Sequence, residues 1–126
     1  MLHIYIGGAG HGQAALCEKE TGLTPVRCTP AEALTAPAVA DFHLLVRDVI
    51  AAGENVDGYT RLFLTAHRDL GCDCALTSDE IGGGVVPLDP DERRWREQTG
   101  RALGVLAAAE DISLTRVWYG IGEKLK

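Results

Sequence analysis

The residues best suited to chemistry form a glycine-rich run near the N-terminus: Gly7, Gly8, Ala9, Gly10, His11, Gly12, Gln13 and Ala14. Gly7 and Gly12 have the G-x-x-x-x-G spacing at which backbone N–H groups surround a phosphate. In such loops a Lys follows to reach the terminal phosphates, and then a Ser or Thr ligates Mg²⁺. Here Gln13 and Ala14 hold those positions. The spacing therefore predicts a phosphate-binding loop that lacks its charge and its hydroxyl.

The change from Lys to Gln13 removes a positive charge beside the γ-phosphate. At about 4 Å and an effective dielectric of about 20, that attraction is worth about 4 kcal/mol before desolvation. A net loss of about 3 kcal/mol in the transition state would slow phosphoryl transfer roughly a hundredfold or more. Phosphate binding by main-chain amides at a helix N-terminus does not need the lysine, so we expect it to survive. The alternative is a glycine-rich turn that binds nothing.

Composition limits the classes of function. A chain of 126 residues suits a single domain with its own core. A formal net charge of −6 argues against nucleic acid or an anionic membrane as the main partner. Met1 leads directly into a short apolar run without a signal-peptide pattern, and no run is long enough to span a bilayer. We therefore expect a cytoplasmic protein.

The cysteines lack a recognised ligand spacing. We interpret Cys17, Cys28, Cys72 and Cys74 as free, mostly buried thiols of a reducing compartment. Cys72-x-Cys74, with His67 upstream, is the faint alternative of a metal site.

The hydrophobic pattern alternates between strands and helices. A buried strand over residues 2–6 precedes the glycine run, and a helix begins at Ala14. The nearly continuous apolar run over residues 41–48 predicts a strand buried in a parallel sheet. The remaining predictions are an extended stretch over 23–29, a weak helix over 30–34, helices over 59–70 and 90–109, strands over 73–78 and 112–119, and a loop over 79–87.

The C-terminal half contains several short motifs in a fixed order. Residues 79–87 read Asp-Glu-Ile-Gly-Gly-Gly-Val-Val-Pro, the next helix carries Arg93, Arg96 and Gly100-Arg101, and the chain ends Gly-Ile-Gly-Glu-Lys-Leu-Lys. In order and spacing these segments resemble the bifunctional adenosylcobinamide kinase and adenosylcobinamide-phosphate guanylyltransferase of cobalamin biosynthesis. That family reads N-E-V-G-x-G-I-V-P, R-x-F-R-x-x-x-G-R and S-G-[IL] before its last lysines, and its G-G-A-R-S-G-K-S loop corresponds to the glycine run.

The resemblance implies an α/β fold, a three-layer P-loop NTPase-like domain with a mainly parallel sheet, assembled as a homotrimer. It also implies ATP or GTP with Mg²⁺ as cofactors, a cobinamide as the second small-molecule partner, and GMP transfer through a covalently guanylylated histidine. The positions it assigns to nucleotide binding are Gly7, Gly8, Ala9, Gly10, His11, Gly12, Gln13, Ala14, Glu80, Arg93, Arg96 and Arg101.

The chain also departs from the family pattern. The segment that carries the guanylylated histidine is missing between about Glu20 and Arg27. Structural or solvated roles are the preferred interpretation for His3, His11, His43 and His67. The family's acidic residue after its third strand corresponds to Arg47 or, with a shift of one residue, to Asp48, which is a weak metal candidate.

Three hypotheses follow from these residues. The preferred one is a degenerate family member that retains the fold and nucleotide binding, with impaired kinase chemistry, no guanylyl transfer and doubtful Mg²⁺ binding. The second is an active kinase in which Arg47, His11 or an arginine of the 93–101 helix replaces the lysine. The third is a phosphate- or nucleotide-binding module unrelated to cobalamin.

Overall fold

The computed structural model describes residues 1–126 as an α/β domain. Its strands are β1 (Leu2–Gly7), β2 (Val26–Arg27), β3 (Ala38–Ala40), β4 (Cys74–Asp79), β5 (Ile112–Trp118) and β6 (Ile121–Lys124). Its helices are α1 (Gln13–Thr21), α2 (Pro30–Ala33), α3 (Phe42–Ala51), α4 (Val56–Leu70) and α5 (Pro90–Ala108). None of these helices is long and apolar enough to cross a membrane.

The six strands form one sheet in the order β2-β3-β4-β1-β5-β6. All neighbours pair in parallel except β5 and β6. Helical crossovers join the parallel strands, so the carboxyl ends of β1, β3, β4 and β5 share one edge. This confirms the predicted α/β class and the mainly parallel sheet, and it places the glycine loop at the edge where such sheets bind ligands.

Side chains of alternate strand residues pack on opposite faces of the sheet. On one face, Ile4 and Leu76 belong to the main core, which includes Phe42, Phe63 and Leu106 from α3, α4 and α5. On the other face, Tyr5 and Val117 pack against Leu16 and Cys17 of α1. Because successive side chains of β1 point to opposite faces of the sheet, this strand contributes to both cores.

The predicted strand over residues 41–48 is wrong. The strand β3 ends at Ala40, and the apolar run that follows is α3. Phe42, Leu45, Val46 and Val49 are all buried and stand at the i, i+3, i+4, i+7 spacing of a helix. A buried helix face and a buried strand both give short apolar runs, so periodicity alone does not distinguish them.

The C-terminus forms a hairpin that the sequence analysis did not anticipate. Trp118 pairs with Ile121, which leaves Tyr119 and Gly120 as a two-residue turn. Both have positive φ, 50° and 77°, as a type I′ hairpin turn requires. The usual signal for this turn is Asn-Gly, and Tyr in place of Asn concealed it.

The other predicted elements agree with the structure to within a few residues. Asp89 caps α5 with Pro90 at its first position, and Gly71 ends α4 in the left-handed conformation. All four cysteines are free, as predicted, and only Cys72 is exposed.

Candidate functional site

The glycine loop, residues 8–12, connects β1 to α1 at the carboxyl edge of the sheet. Its entry needs glycine, because a Cβ on Gly7 would lie 2.3 Å from the carbonyl oxygen of Val117 in β5. Its exit needs glycine as well, because Gly12 has φ 91° and faces the Cα of Gly120. Close packing at the sheet edge therefore accounts for both glycines whether or not a ligand binds.

The loop presents main-chain donors that no protein group uses. The His11 amide donates to the Gly8 carbonyl at 3.2 Å, which closes the turn. The amides of Gly10, Gly12, Gln13 and Ala14 donate to no protein acceptor. No side chain caps α1, and its first turn contains no acid. A helix N-terminus with these properties attracts anions, because its N–H groups and its dipole act together.

Gln13, at the lysine position, is buried and turned back under the loop. Its Nε2 donates to the Gly8 carbonyl at 3.0 Å and to Asp79 Oδ1 at 3.1 Å. A weaker contact joins Nε2 to the Ser78 carbonyl at 3.4 Å. The neutral amide thus ties the loop to the end of β4, and it brings no charge to a bound phosphate.

Asp79 also contacts His43 in the first turn of α3. The Asp79 amide donates to His43 Nδ1 at 3.1 Å, and His43 Nε2 lies 3.5 Å from Asp79 Oδ2. Since Nδ1 accepts, the proton of the neutral ring is on Nε2 and faces the carboxylate. Burial lowers the pKa of His43, and the attraction of Asp79 opposes that shift only in part.

Asp41 completes an acidic group below the loop. It directly follows β3 in the left-handed conformation with φ 58°, and its amide donates to Thr77 Oγ1 at 3.2 Å. Ligand atoms of Asp41, His43 and Asp79 lie within 4.8 Å of one another. Asp41 is the first acidic residue after β3, which ends at Ala40, whereas Arg47 and Asp48 lie within α3.

The donor set of this group suits Mg²⁺ better than a transition metal. Ligation by His43 would cost its hydrogen bond from the Asp79 amide, since Nδ1 accepts that bond and Nε2 carries the proton. Both Asp79 oxygens face donors from Gln13 and His43, whereas the Asp41 carboxylate makes no hydrogen bond or ion pair with the protein. One or two carboxylates together with phosphate oxygens suit Mg²⁺. The hydroxyl ligand that such loops usually add is absent, because residue 14 is Ala.

The β5–β6 turn contacts the opposite side of the loop. The Gly120 amide donates to the His11 carbonyl at 2.7 Å. The rings of His11 and Tyr119 stack with centroids 4.7 Å apart and planes 26° apart. The loop is therefore held from two sides, by Gln13 below it and by the hairpin beside it.

The predicted arginines organise the chain between β4 and α5. Arg96 donates to the carbonyls of Ile81 and Val85 at 2.5 and 2.6 Å, and to that of Gly83. Arg93 donates to the carbonyls of Pro87 and Leu88 at 3.2 and 3.0 Å. Carbonyls of their own loop thus occupy both guanidinium groups.

Other predicted charges lie elsewhere. Arg101 lines a groove between α4 and α5 with Asp57 and Arg61, five residues and about 7.5 Å along α5 from Arg96. Asp48 pairs with Arg27 at 3.0 Å on the outer surface of α3. Arg47 stacks 3.7 Å above Trp95 and pairs with Glu92 at 3.3 Å. Asp48 and Arg47 thus have structural contacts, and none of the three residues lies in the loop.

Glu80 does lie beside the loop, and it pairs with Arg116, a cation that the sequence motifs do not identify. Its amide donates to the Gly7 carbonyl at 2.8 Å, and its carboxylate lies 3.7 Å from Arg116 NH2. Arg116 Nε is buried without a hydrogen-bond partner. Only the parallel pairing of β1 with β5 brings Arg116 to this edge, so no local pattern in the sequence could have identified it.

No protein-family model matches the chain, and no curated protein matches it. The resemblance to adenosylcobinamide kinase therefore stays a prediction from the motifs.

Proposed function

We propose that the chain is a nucleotide-binding protein of the adenosylcobinamide kinase type in which phosphoryl transfer is impaired and guanylyl transfer is absent. One observation carries this proposal: the glycine loop and the start of α1 offer unused amides, while Gln13 stands buried in the lysine position and bonded to Asp79. The P-loop-like fold, the cobinamide partner and a trimeric assembly belong to the same proposal.

Phosphate binding is supported by the electrostatics of the loop. Several main-chain donors converge where α1 begins, and neither a side-chain cap nor a first-turn acid competes for them. Such amides bind phosphate oxygens without a lysine, because the positive end of the helix dipole adds to their hydrogen bonds.

The impairment follows from the surroundings of the missing charge. Transfer of a γ-phosphoryl group needs cations at its peripheral oxygens. The Gln13 amide is neutral, and the nearby Asp41 and Asp79 are negative. Asp41 is the residue that would hold a phosphate-bound Mg²⁺, and such an ion would offset this repulsion without replacing the charge of the missing lysine at the γ-phosphate.

The second hypothesis is an active kinase in which another cation replaces the missing lysine. Arg47, Arg93 and Arg96 all have protein partners that hold them in place. Arg116 favours an active kinase by its position: it pairs with Glu80 beside the loop and stacks on Trp118, and its Nε is left without a hydrogen-bond partner.

Calorimetric titration of tripolyphosphate, ATP and GTP, each with Mg²⁺ and with EDTA, tests the proposal. A cobinamide phosphorylation assay on the same preparation completes it. We expect measurable binding and no phosphorylation at a rate ordinary for such kinases. Ordinary turnover would support the active kinase, and its loss in Arg116→Gln would assign the cation. Absence of binding to all three ligands would reject the nucleotide-binding proposal.

A further inference from the structure

We propose that Tyr119 is the nucleobase platform of this site, on which the base of a bound nucleotide stacks while its phosphates lie on the glycine loop. The inference rests on the proposed function and adds the class of ligand, a nucleoside phosphate in preference to inorganic phosphate. It arises from an aromatic contact that the sequence motifs do not contain.

The Tyr119 ring lies next to the glycine loop, because it stacks on the ring of the loop residue His11. Its turn joins β5, the parallel neighbour of β1, so the turn meets the glycine loop at the same sheet edge. A Cβ built on Gly12 would lie 3.3 Å from the Cα of Gly120, which shows how closely the turn and the loop approach. A ribose and its base extending from phosphates on the loop can therefore reach the Tyr119 ring.

The Tyr119 ring is packed on one side and accessible on the other. One face of Tyr119 stacks on His11, while the residue as a whole is 83% exposed. The hydrogen bond from the Gly120 amide to the His11 carbonyl fixes the turn against the loop. A ring that is already stacked on one face has less freedom to lose when a flat ligand stacks on its other face.

The backbone at Tyr119 is unfavourable for a bulky residue. Its φ of 50° is in the left-handed region, where type I′ turns usually have Asn, Asp or Gly. A large aromatic ring in this conformation is retained at a cost in stability, and such costs concentrate at ligand sites. The strain is independent of the stacking geometry, and both favour a ligand contact by the ring.

Neighbouring aromatic groups fit this role less well. Trp118 is less exposed than Tyr119, 54% against 83%, and has the Arg116 guanidinium 4.7 Å from its ring centroid. The His11 ring is covered by Tyr119 on one side and lies against Gly8, where a Cβ would be 3.2 Å from it. Tyr119 therefore has the accessible ring beside the loop.

Calorimetric titration of three ligands into three proteins tests the proposal. The ligands are tripolyphosphate, ATP and GTP with Mg²⁺, and the proteins are the wild type, Tyr119→Phe and Tyr119→Asn. Asn suits the left-handed turn, so Tyr119→Asn removes the ring without adding backbone strain. Thermal melting of both variants checks that the fold is retained.

We expect the wild type to bind at least one nucleotide about tenfold more tightly than tripolyphosphate, as a stacked base contributes. Tyr119→Asn should lose that advantage and keep its affinity for tripolyphosphate, while Tyr119→Phe should keep both. Equal affinity of the wild type for tripolyphosphate and nucleotides would overturn the platform and leave the phosphate site standing. A parallel loss of all three ligands in Tyr119→Asn would also overturn it, since Tyr119 would then support only the loop. If the wild type binds none of them, both proposals are wrong.

Discussion

Gln13 connects the glycine loop to the acidic group at the ends of β3 and β4, because its single amide bonds both Gly8 and Asp79. The same position in a phosphate-transferring loop supplies an ammonium group. Lysine at this position would keep a hydrogen-bond donor near Asp79 and add the charge that a γ-phosphate needs.

Restoring the loop is therefore the first prediction at this scale. The double variant Gln13→Lys with Ala14→Ser should bind Mg²⁺–nucleotide about tenfold or more tightly than the wild type, since it regains the cation and the metal-ligating hydroxyl. Titration calorimetry measures the change. The matched control is Ala15→Ser, one exposed residue further along α1, which should leave the affinity unaltered. Equal affinity of the double variant and the wild type would show that the loop does not hold the phosphates.

Asp41 gives the second prediction. Asn tolerates the left-handed backbone of this residue, so Asp41→Asn removes the charge and preserves the turn. If Asp41 holds the phosphate-bound Mg²⁺, the variant should bind nucleotide with nearly the same affinity in Mg²⁺ and in EDTA. The wild type should bind more tightly in Mg²⁺. A persistent metal dependence in Asp41→Asn would place the ion elsewhere.

Gly7 gives the third prediction, which concerns stability. Gly7→Ala forces a methyl group against the Val117 carbonyl, so we expect a loss of about 1–3 kcal/mol or more in the free energy of unfolding. Urea denaturation followed by circular dichroism measures it. Gly82→Ala is the control, because a Cβ there meets no atom within 4 Å and should change stability little. Similar stability of Gly7→Ala and the wild type would contradict the close approach of β1 and β5.

At the residue scale, the sequence predicts the part of the site that is local. The spacing of Gly7 and Gly12 identifies the loop, because its residues are consecutive. Asp41, Asp79 and Arg116 come from three other strand ends, and only the strand order brings them to the loop. No spacing within a single sequence contains that information.

At the scale of elements, α5 controls the conformation of the chain between β4 and its own first turn. Arg96 bonds three carbonyls of that segment, and Asp89 caps the helix by accepting from the Asp91 amide. A segment with few strand or helix hydrogen bonds depends on such side-chain contacts for its order.

Arg96→Lys should therefore loosen the segment and leave the domain folded. A lysine cannot reproduce the planar fork that bonds three carbonyls at once. We expect limited proteolysis to cut residues 80–88 several-fold faster in the variant, with a small change in melting temperature. Arg94→Lys, on the exposed side of the same helix, should digest like the wild type. Equal digestion of both variants would contradict the role of Arg96.

Two elements show where local patterns fail. In α3 the buried residues Phe42, Leu45, Val46 and Val49 follow helical spacing, but His43 and Leu44 between them complete a run that also suits a strand. The strand β6 was missed because Tyr119-Gly120 is an unusual turn pair and all four β6 residues are exposed. In contrast, α4 and α5 were predicted well, since caps and a long amphipathic pattern mark each of them.

At the scale of the whole molecule, buried histidines link stability to pH. His67 is buried in the main core, with Nε2 2.9 Å from the Ala33 carbonyl and Nδ1 unpartnered. Burial lowers the pKa of His67 and of His43 below the usual value near 6.5. Below about pH 6.5 these two histidines therefore bind more protons in the unfolded chain than in the folded chain.

The free energy of unfolding should thus be highest above about pH 6.5 and fall as the pH decreases through the lowered pKa values. Urea denaturation at several pH values between about 5 and 8 measures the slope. His67→Gln keeps a donor for Ala33 and cannot titrate, so its slope should be smaller, with His43 supplying the remainder. An unchanged slope in His67→Gln would show that His67 does not contribute.

The most direct test of the whole account is titration of tripolyphosphate into the wild-type chain with Mg²⁺, because the ligand contains only the group that the glycine loop is proposed to hold. We predict saturable one-to-one binding, with the amide signals of Gly10, Gly12, Gln13 and Ala14 shifting in a parallel NMR titration. Absence of binding at millimolar concentrations, or binding that moves other amides and leaves these four in place, would contradict it.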